Sequence, residues 1–379
     1  SNVGTWMQTV AQGWLVLRLT DSPLYLGIDG FAASIPTLLT APVAGVMADR
    51  LDRKKLLLAT QTVQMLCALS LAILVSLHAA TVWTVIALSF ANGTARALTI
   101  PSHQSLFVDL VGRDDLMNAI ALNSSQFNLS RLLGPTAAGF AIAALGEAGC
   151  FYLNALSFVA ILVALVAIRV PAARRERRHG YRRDLVLGLR FALSHPAFPQ
   201  LLAIAAVLSL CGIPVIMLLP VFARDLLHVG ARGLGTLYGA IGLGALAGAL
   251  ALAYLGDFRR KGGAVLAGAA VFAVALAGFA FSRRYPLSLL ALAVVGGAMV
   301  TSSAVVNTIL QKLTPDEFRG RIISLYALAW LGLVPFGNLL AGAAADRYGA
   351  TRTLAVGALL ILAALLVLRV ARPIPPEVG

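Results

Sequence analysis

Several stretches of this chain carry no Asp, Glu, Lys or Arg, among them Gly233–Gly256, Gly262–Ser282, Tyr285–Gln311 and Ile322–Ala345. Each exceeds the roughly 20 apolar residues that a helix needs to cross a bilayer. No other feature constrains the fold as tightly, because unpaired backbone is prohibitive in hydrocarbon and only helices or closed barrels cross it. The ten-residue alternation of a barrel strand is missing. The expectation is therefore an all-α membrane protein. Composition agrees: 59% of the 379 residues are hydrophobic and 12% charged, against about 45–50% and about 25% in a soluble domain. A soluble enzyme, a disordered chain and a collagen-like fibre are excluded.

Length and turn signals divide the chain into about twelve spans, near 3–18, 24–48, 55–77, 81–107, 117–145, 148–169, 198–223, 232–256, 262–282, 286–311, 320–345 and 353–370. Asp21-Ser22-Pro23, Arg284-Tyr285-Pro286 and Thr314-Pro315-Asp316 mark three of the boundaries. The chain opens at Ser1, already inside an apolar helix, so the first helix is expected to be truncated. Cys67, Cys150 and Cys211 lie far apart and form no disulfide framework or metal pattern. No metal and no cofactor are expected.

The net charge of +14 would point to nucleic acid in a soluble protein. Here it sorts with topology instead. With the loop at 49–55 on the cytoplasmic side, 21 of the 30 Lys and Arg fall on that side, 7 on the other, and Arg96 and Arg131 inside spans. Basic residues collect in cytoplasmic loops beside anionic lipid, so both termini are expected in the cytoplasm of a bacterial inner-membrane protein.

The longest hydrophilic segment, Pro171–Pro196, holds Arg174, Arg175, Arg177, Arg178, Arg182 and Arg183. It divides the chain into an N-terminal six-helix half (1–170), a basic linker (171–197), a C-terminal half (198–372) and a tail (373–379). Within the linker, Leu185–Phe191 reads as a short amphipathic helix at the membrane surface. A weak repeat supports the halving: Asp114–Ile120 resembles Asp316–Ile322, and each precedes a span with a Gly/Pro pair, Gly134-Pro135 and Pro335-Phe336-Gly337. Parallel six-span repeats are a transporter architecture.

Polar side chains are distributed unevenly. Gly262–Phe281 of the ninth span has no Ser, Thr, Asn, Gln or His, whereas the first carries Gln8, Thr9 and Gln12, the fourth Asn92 and Arg96, and the tenth Asn307. Polar groups in a bilayer face protein or water, so spans one, four and ten are expected to line a wet interior. Intramembrane charge is rare and functional by default, which adds Asp29, Arg96 and Arg131. Asp29 is the one acid placed inside a span and the natural proton-exchanging group. A structural ion pair or a snorkelling arginine is the plainer role for these charges. Tyr326 and Trp330 join the expected substrate cavity as aromatics, the membrane interface being the other place for such rings.

Gly45-Val46-Met47-Ala48-Asp49-Arg50-Leu51-Asp52-Arg53-Lys54 resembles the signature loop of the major facilitator superfamily, between spans two and three where that family has it. It departs at Met47 and at Asp52, which replaces a glycine. Gly134-Pro135-Thr136-Ala137-Ala138-Gly139 is similar to the superfamily's antiporter motif, with Ala138 replacing the first of two glycines. Trp6–Leu17 and fragments between Pro101 and Leu165, including Phe151-x-Leu153-Asn154, look like the bacterial exporter branch that includes the enterobactin exporter and macrolide-efflux-like proteins. The resemblance implies a conformational latch of Gly45, Asp49, Arg53 and Asp109, with Asp49 at the start of span eleven and Arg53 paired to Asp109. It also implies an antiporter role for Gly134, Pro135 and Gly139.

The function expected is proton-driven export of a small or amphipathic molecule, such as a siderophore, drug or metabolite, by alternating access. Protons, the substrate and membrane lipid are the expected partners, and the chain is expected to be monomeric. An importer or facilitator on the same fold is a second reading. A lipid-modifying membrane enzyme is a third; it needs an acidic or histidine cluster near a membrane face, and Asp114-Asp115 and Asp316-Glu317 read better as helix N-terminal acids.

Overall fold

The structure is a computed structural model describing residues 1–50, 52–111, 115–168, 181–194, 196–256, 258 and 261–371. At 41–50, 101, 104–105, 107–111, 116–117, 121, 181–186 and 370–371 the backbone alone is described. The described residues are helical throughout, with no strand. They pack as two units: Ser1–Arg178 with Val229–Gly239, and His179–His228 with Ala240–Gly379.

In the first unit, α1 (Asn2–Thr20) packs on α5 (Leu116–Ala167), α2 (Pro23–Arg50) on α4 (Val82–Val111), and α3 (Arg53–Ser76) on both α4 and α5. The boundaries have local causes. Asp21 closes α1 in the left-handed conformation (φ 52°), its N–H reaching Leu17 O at 2.9 Å, and short polar side chains tolerate that backbone best after glycine. Pro23 then opens α2, where a missing N–H costs nothing. Asp52 is the N-cap of α3, accepting from the N–H groups of Lys54 (2.9 Å) and Lys55 (3.2 Å). The departure from the signature loop thus gives the next helix its cap.

Lys54 donates from Nζ to the carbonyls of Val166 (3.0 Å) and Ile168 (2.7 Å), a cation on the orphan carbonyls of a helix C-terminus. The long α5 is two passes: Gly146 breaks it with φ 68°, a conformation that favours glycine. Arg18 bonds Glu147 just past the break, at 2.8 Å.

In the second unit, α6 (Tyr181–Ser194) lays Phe191 flat on Phe318 of α12 (Asp316–Leu331), ring centroids 4.4 Å apart at 10°. The segment 198–226 is discontinuous: α7 (Phe198–Val207), a π turn, α8 (Pro214–Val221) and a second π turn. Each π turn closes with an i→i−5 bond, Ile213 to Leu208 O and Leu227 to Phe222 O. Pro214 begins the helix after the first and Pro220 ends it before the second, where the ladder lacks a donor. Further on, α9 (Gly230–Leu255), α10 (Lys261–Phe281), α11 (Tyr285–Leu313), α13 (Val334–Tyr348) and α14 (Ala350–Ala371) complete the chain. Gly244 and Gly248 of α9 lie against the backbone of Ala293 and Gly297 on α11, with no room for a β-carbon. This small-residue face is a packing face.

Eight helical stretches among the described residues are long and apolar enough to cross a membrane. One of them is α5, which passes twice. α1, α2 and α4 also have span length, giving the twelve helical passes expected. Two of these three, α1 and α4, carry many of the polar residues singled out above, which dilutes their hydropathy.

Candidate functional site

The buried polar chemistry of the first unit centres on Asp29. This residue sits on the second turn of α2 with 8% of its surface exposed. Gln12 of α1 donates from Nε2 to both carboxylate oxygens, at 2.9 and 3.0 Å, and to Ser89 Oγ at 2.6 Å. Ser89 of α4 lies 2.5 Å from Asp29 Oδ1 and 2.9 Å from the carbonyl of Val85. Three helices thus converge on one carboxylate, whose partners are neutral. A buried carboxylate held this way has hydrogen bonds but no compensating cation.

The other expected cavity residues are placed as follows. Gln8 is buried one turn from Gln12 and accepts from Asn154 Nδ2 at 2.6 Å. Gly4 of α1 leaves the space that Asn154 and Ser157 fill. Thr9 is exposed, its hydroxyl turned to Thr5 O at 3.0 Å. Asn92 is half-buried, and Arg96 is exposed, on the α4 face that begins with Ser89. Arg131 is half-buried; its Nη2 meets Asn128 Oδ1 at 3.3 Å and its Nε has no partner. The structure therefore brings Gln12 and Asp29 together, and Arg131 pairs within its own helix.

In the second unit Tyr326 and Trp330 stack with centroids 6.3 Å apart at 23°. The Tyr326 hydroxyl donates to Ser303 O at 2.9 Å, and Ser209 donates to Trp330 O at 2.7 Å. Asn307 is half-buried one turn past Ser303 on α11.

The antiporter-like motif is a point of close approach within the first unit. A β-carbon on Gly134 would stand 2.6 Å from Trp6 Cβ and 2.9 Å from Val3 O, and one on Gly139 would stand 2.8 Å from Ala231 O and 2.9 Å from Gly235 Cα. Pro135 is buried between them, its carbonyl 2.9 Å from where a Gly235 β-carbon would be. Arg53 is half-buried at the first turn of α3. Gly45, Asp49 and Asp109, the other latch positions, lie outside the residues whose side chains are described.

Sequence reasoning missed Ser89 as a site residue and did not pair Asn154 with Gln8. Ser89 had a legible signal, since it stands three residues before Asn92 and seven before Arg96, on one helical face. For the Asn154–Gln8 pair no signal exists short of the fold.

Twelve helical passes among the described residues are the architecture of the major facilitator fold. A crystal structure of the nucleoside transporter NupG superposes with a TM-score of 0.76 at 13% identity, covering 97% of this chain and 98% of that one. The chain belongs to the transmembrane secretion effector family of that superfamily, whose profile matches residues 1–377. It is similar to the enterobactin exporter EntS of Shigella boydii, 29% identical over 375 residues (96% of this chain, 88% of that one). It is also similar to the multidrug efflux pump Tap of Mycolicibacterium fortuitum, 24% identical over 359 residues (92% and 87%). The protein is a transporter with exporter relatives, not an enzyme.

Proposed function

We propose that this protein is a proton-coupled exporter that moves a small amphipathic molecule out of the cytoplasm by alternating access, with Asp29 exchanging the proton. The observation that carries the reading is the Asp29 carboxylate, buried inside a span and held by Gln12 and Ser89 from two other helices. A carboxylate kept in a membrane interior without a cation is costly, and a proton is the simplest means of relieving that cost. The exporter relatives support the direction of transport and a siderophore, drug or amphipathic metabolite as cargo.

In this reading the working halves are 1–170 and 198–372, joined by the basic linker 171–197 and followed by the tail 373–379. Both termini face the cytoplasm of a bacterial inner membrane, as the bias of Lys and Arg supports. The monomer is the working unit, surrounded by lipid. Gln8, Thr9, Gln12, Asn92, Arg96, Arg131 and Asn307 are the polar residues of the substrate cavity in this reading, and Tyr326 and Trp330 its aromatic ones. Gly134, Pro135 and Gly139 form the antiporter-type packing point. Asp49, Arg53 and Asp109 beside Gly45 form a latch that biases two conformations; a difference of about 1.4 kcal/mol shifts their ratio tenfold.

The test is transport by the purified protein in oriented proteoliposomes, with enterobactin and ethidium as probes. An inward-acid gradient imposed on inside-out vesicles should drive accumulation of a probe, and counterflow should proceed without the gradient. Accumulation against the opposite gradient would make the protein an importer, and equilibration indifferent to pH would make it a facilitator.

A further inference from the structure

The hydroxyl of Ser89 has two acceptors and one hydrogen. Asp29 Oδ1 lies on one side and the carbonyl of Val85, one turn back on α4, on the other at 2.9 Å. Gln12 Nε2 has two hydrogens and touches three oxygens, the two of Asp29 and that of Ser89. With Asp29 ionised, one assignment puts a hydrogen in both short contacts of Ser89 Oγ, those to Gln12 and to Asp29. Ser89 donates to Asp29, Gln12 donates to Asp29 and to Ser89, and the Val85 carbonyl keeps its helical N–H partner, Ser89 N.

We infer that Ser89 is the positioning residue of the proton site, a hydroxyl switch that lets Asp29 exist in both charge states without movement of any heavy atom. When Asp29 gains a proton, the new O–H donates to Ser89 Oγ. The Ser89 hydrogen rotates to the Val85 carbonyl, and Gln12 keeps one bond to the other carboxyl oxygen and one to Ser89 Oγ. One proton enters on Asp29 and none leaves Ser89, so the hydroxyl changes partner but is never ionised. Every hydrogen on Gln12 Nε2, Ser89 Oγ and the Asp29 carboxyl has an acceptor before and after, which matters because an unmatched buried donor or acceptor costs about 1–3 kcal/mol.

The surroundings leave this role to Ser89 and Gln12. On α1 the charged side chain is Arg18, bonded to Glu147. On α3 the charges are Arg53, Lys54 and Lys55 at its first turn, and Cys67 is its buried thiol. On α4, Arg96 stands seven residues beyond Ser89, about 10 Å along the axis, and His103 another two turns on. None of these is a hydrogen-bond or ion-pair partner of Asp29. On α2 itself, Tyr25 packs edge-on against Trp83.

This inference rests on the reading of Asp29 as the proton site, and infrared spectroscopy of the whole chain in lipid nanodiscs separates the two without a substrate. The carboxyl C=O band that appears on acidification is assigned to Asp29 by its loss in Asp29→Asn. In Ser89→Ala that band should move to higher frequency, having lost its hydrogen-bond acceptor. The pH midpoint at which it appears should move toward alkaline pH by about half a unit or more, because the ionised form has lost a charge-assisted donor. Ser89→Thr, which keeps the hydroxyl and the same carbonyl in reach, should restore both. A Ser89→Ala band and midpoint equal to those of the parent overturn the switch and leave the proton site standing. Absence of any titrating band sensitive to Asp29→Asn overturns the proton site itself.

Discussion

The two units handle buried polarity in different ways. In the first, side chains bond side chains between helices: Gln12 with Asp29 and Ser89, Asn154 with Gln8, Gln64 with Thr99 at 3.1 Å. In the second, interior polar side chains reach backbone carbonyls: Ser209 to Trp330, Tyr326 to Ser303, and Gln200 to Leu368 at 2.8 Å. A carbonyl has one charge state and a fixed direction, so bonds to it specify structure. A network of side chains that includes a carboxylate has more than one way to be satisfied and responds to protonation. Under the proposed function, energy coupling belongs to the first unit, and the aromatic pair of the second takes part in recognition.

Four experiments sharpen or break this contrast. The largest effect on stability is expected at the antiporter-like motif, where Gly139→Val would push a side chain into the backbone of Ala231 and Gly235. Overpacking of that kind costs about 1–3 kcal/mol. The thermal midpoint of the purified protein should fall by several degrees, and an unchanged midpoint would show that the helices separate there freely. Next, Trp330→Ala removes one ring of the stacked pair in the second unit. Its KM for ethidium should rise about tenfold, the equivalent of about 1.4 kcal/mol, with dependence on the pH gradient unaltered. A change in that dependence would break the division of labour.

Asp52→Ala deletes the cap of α3 and should cost about 1 kcal/mol of stability, read by thermal unfolding. Smallest is the Gln8–Asn154 bond. A double-mutant cycle with Gln8→Leu and Asn154→Leu should give a coupling of about 0.6 kcal/mol, the usual size within membranes. A coupling of zero would remove that pair from the first unit's network.

Much of this was legible in the chain. Pro23, Pro286 and Pro315 marked helix starts, and the break expected between 145 and 148 falls at Gly146. Asp52 is instructive: against the signature loop it looks like a defect, whereas an aspartate just before a helix is a cap signal on its own terms. The Asp29 network was only half legible. Charge in an apolar span singles out Asp29, and polarity singles out Gln12. That the two meet at Ser89 depends on how α1, α2 and α4 rotate about their axes, and packing sets that rotation. The same holds for Arg131, whose charge inside a span drew attention but whose partner, Asn128, is on its own helix.

The most direct test of the account compares the parent with Asp29→Asn in proteoliposomes, measuring ethidium accumulation driven by a pH gradient alongside ethidium counterflow at equal pH. The account predicts that the variant loses gradient-driven accumulation and retains counterflow near the parent rate, since the asparagine preserves the shape of the site and removes its proton. Gradient-driven accumulation at the parent level in Asp29→Asn would contradict it.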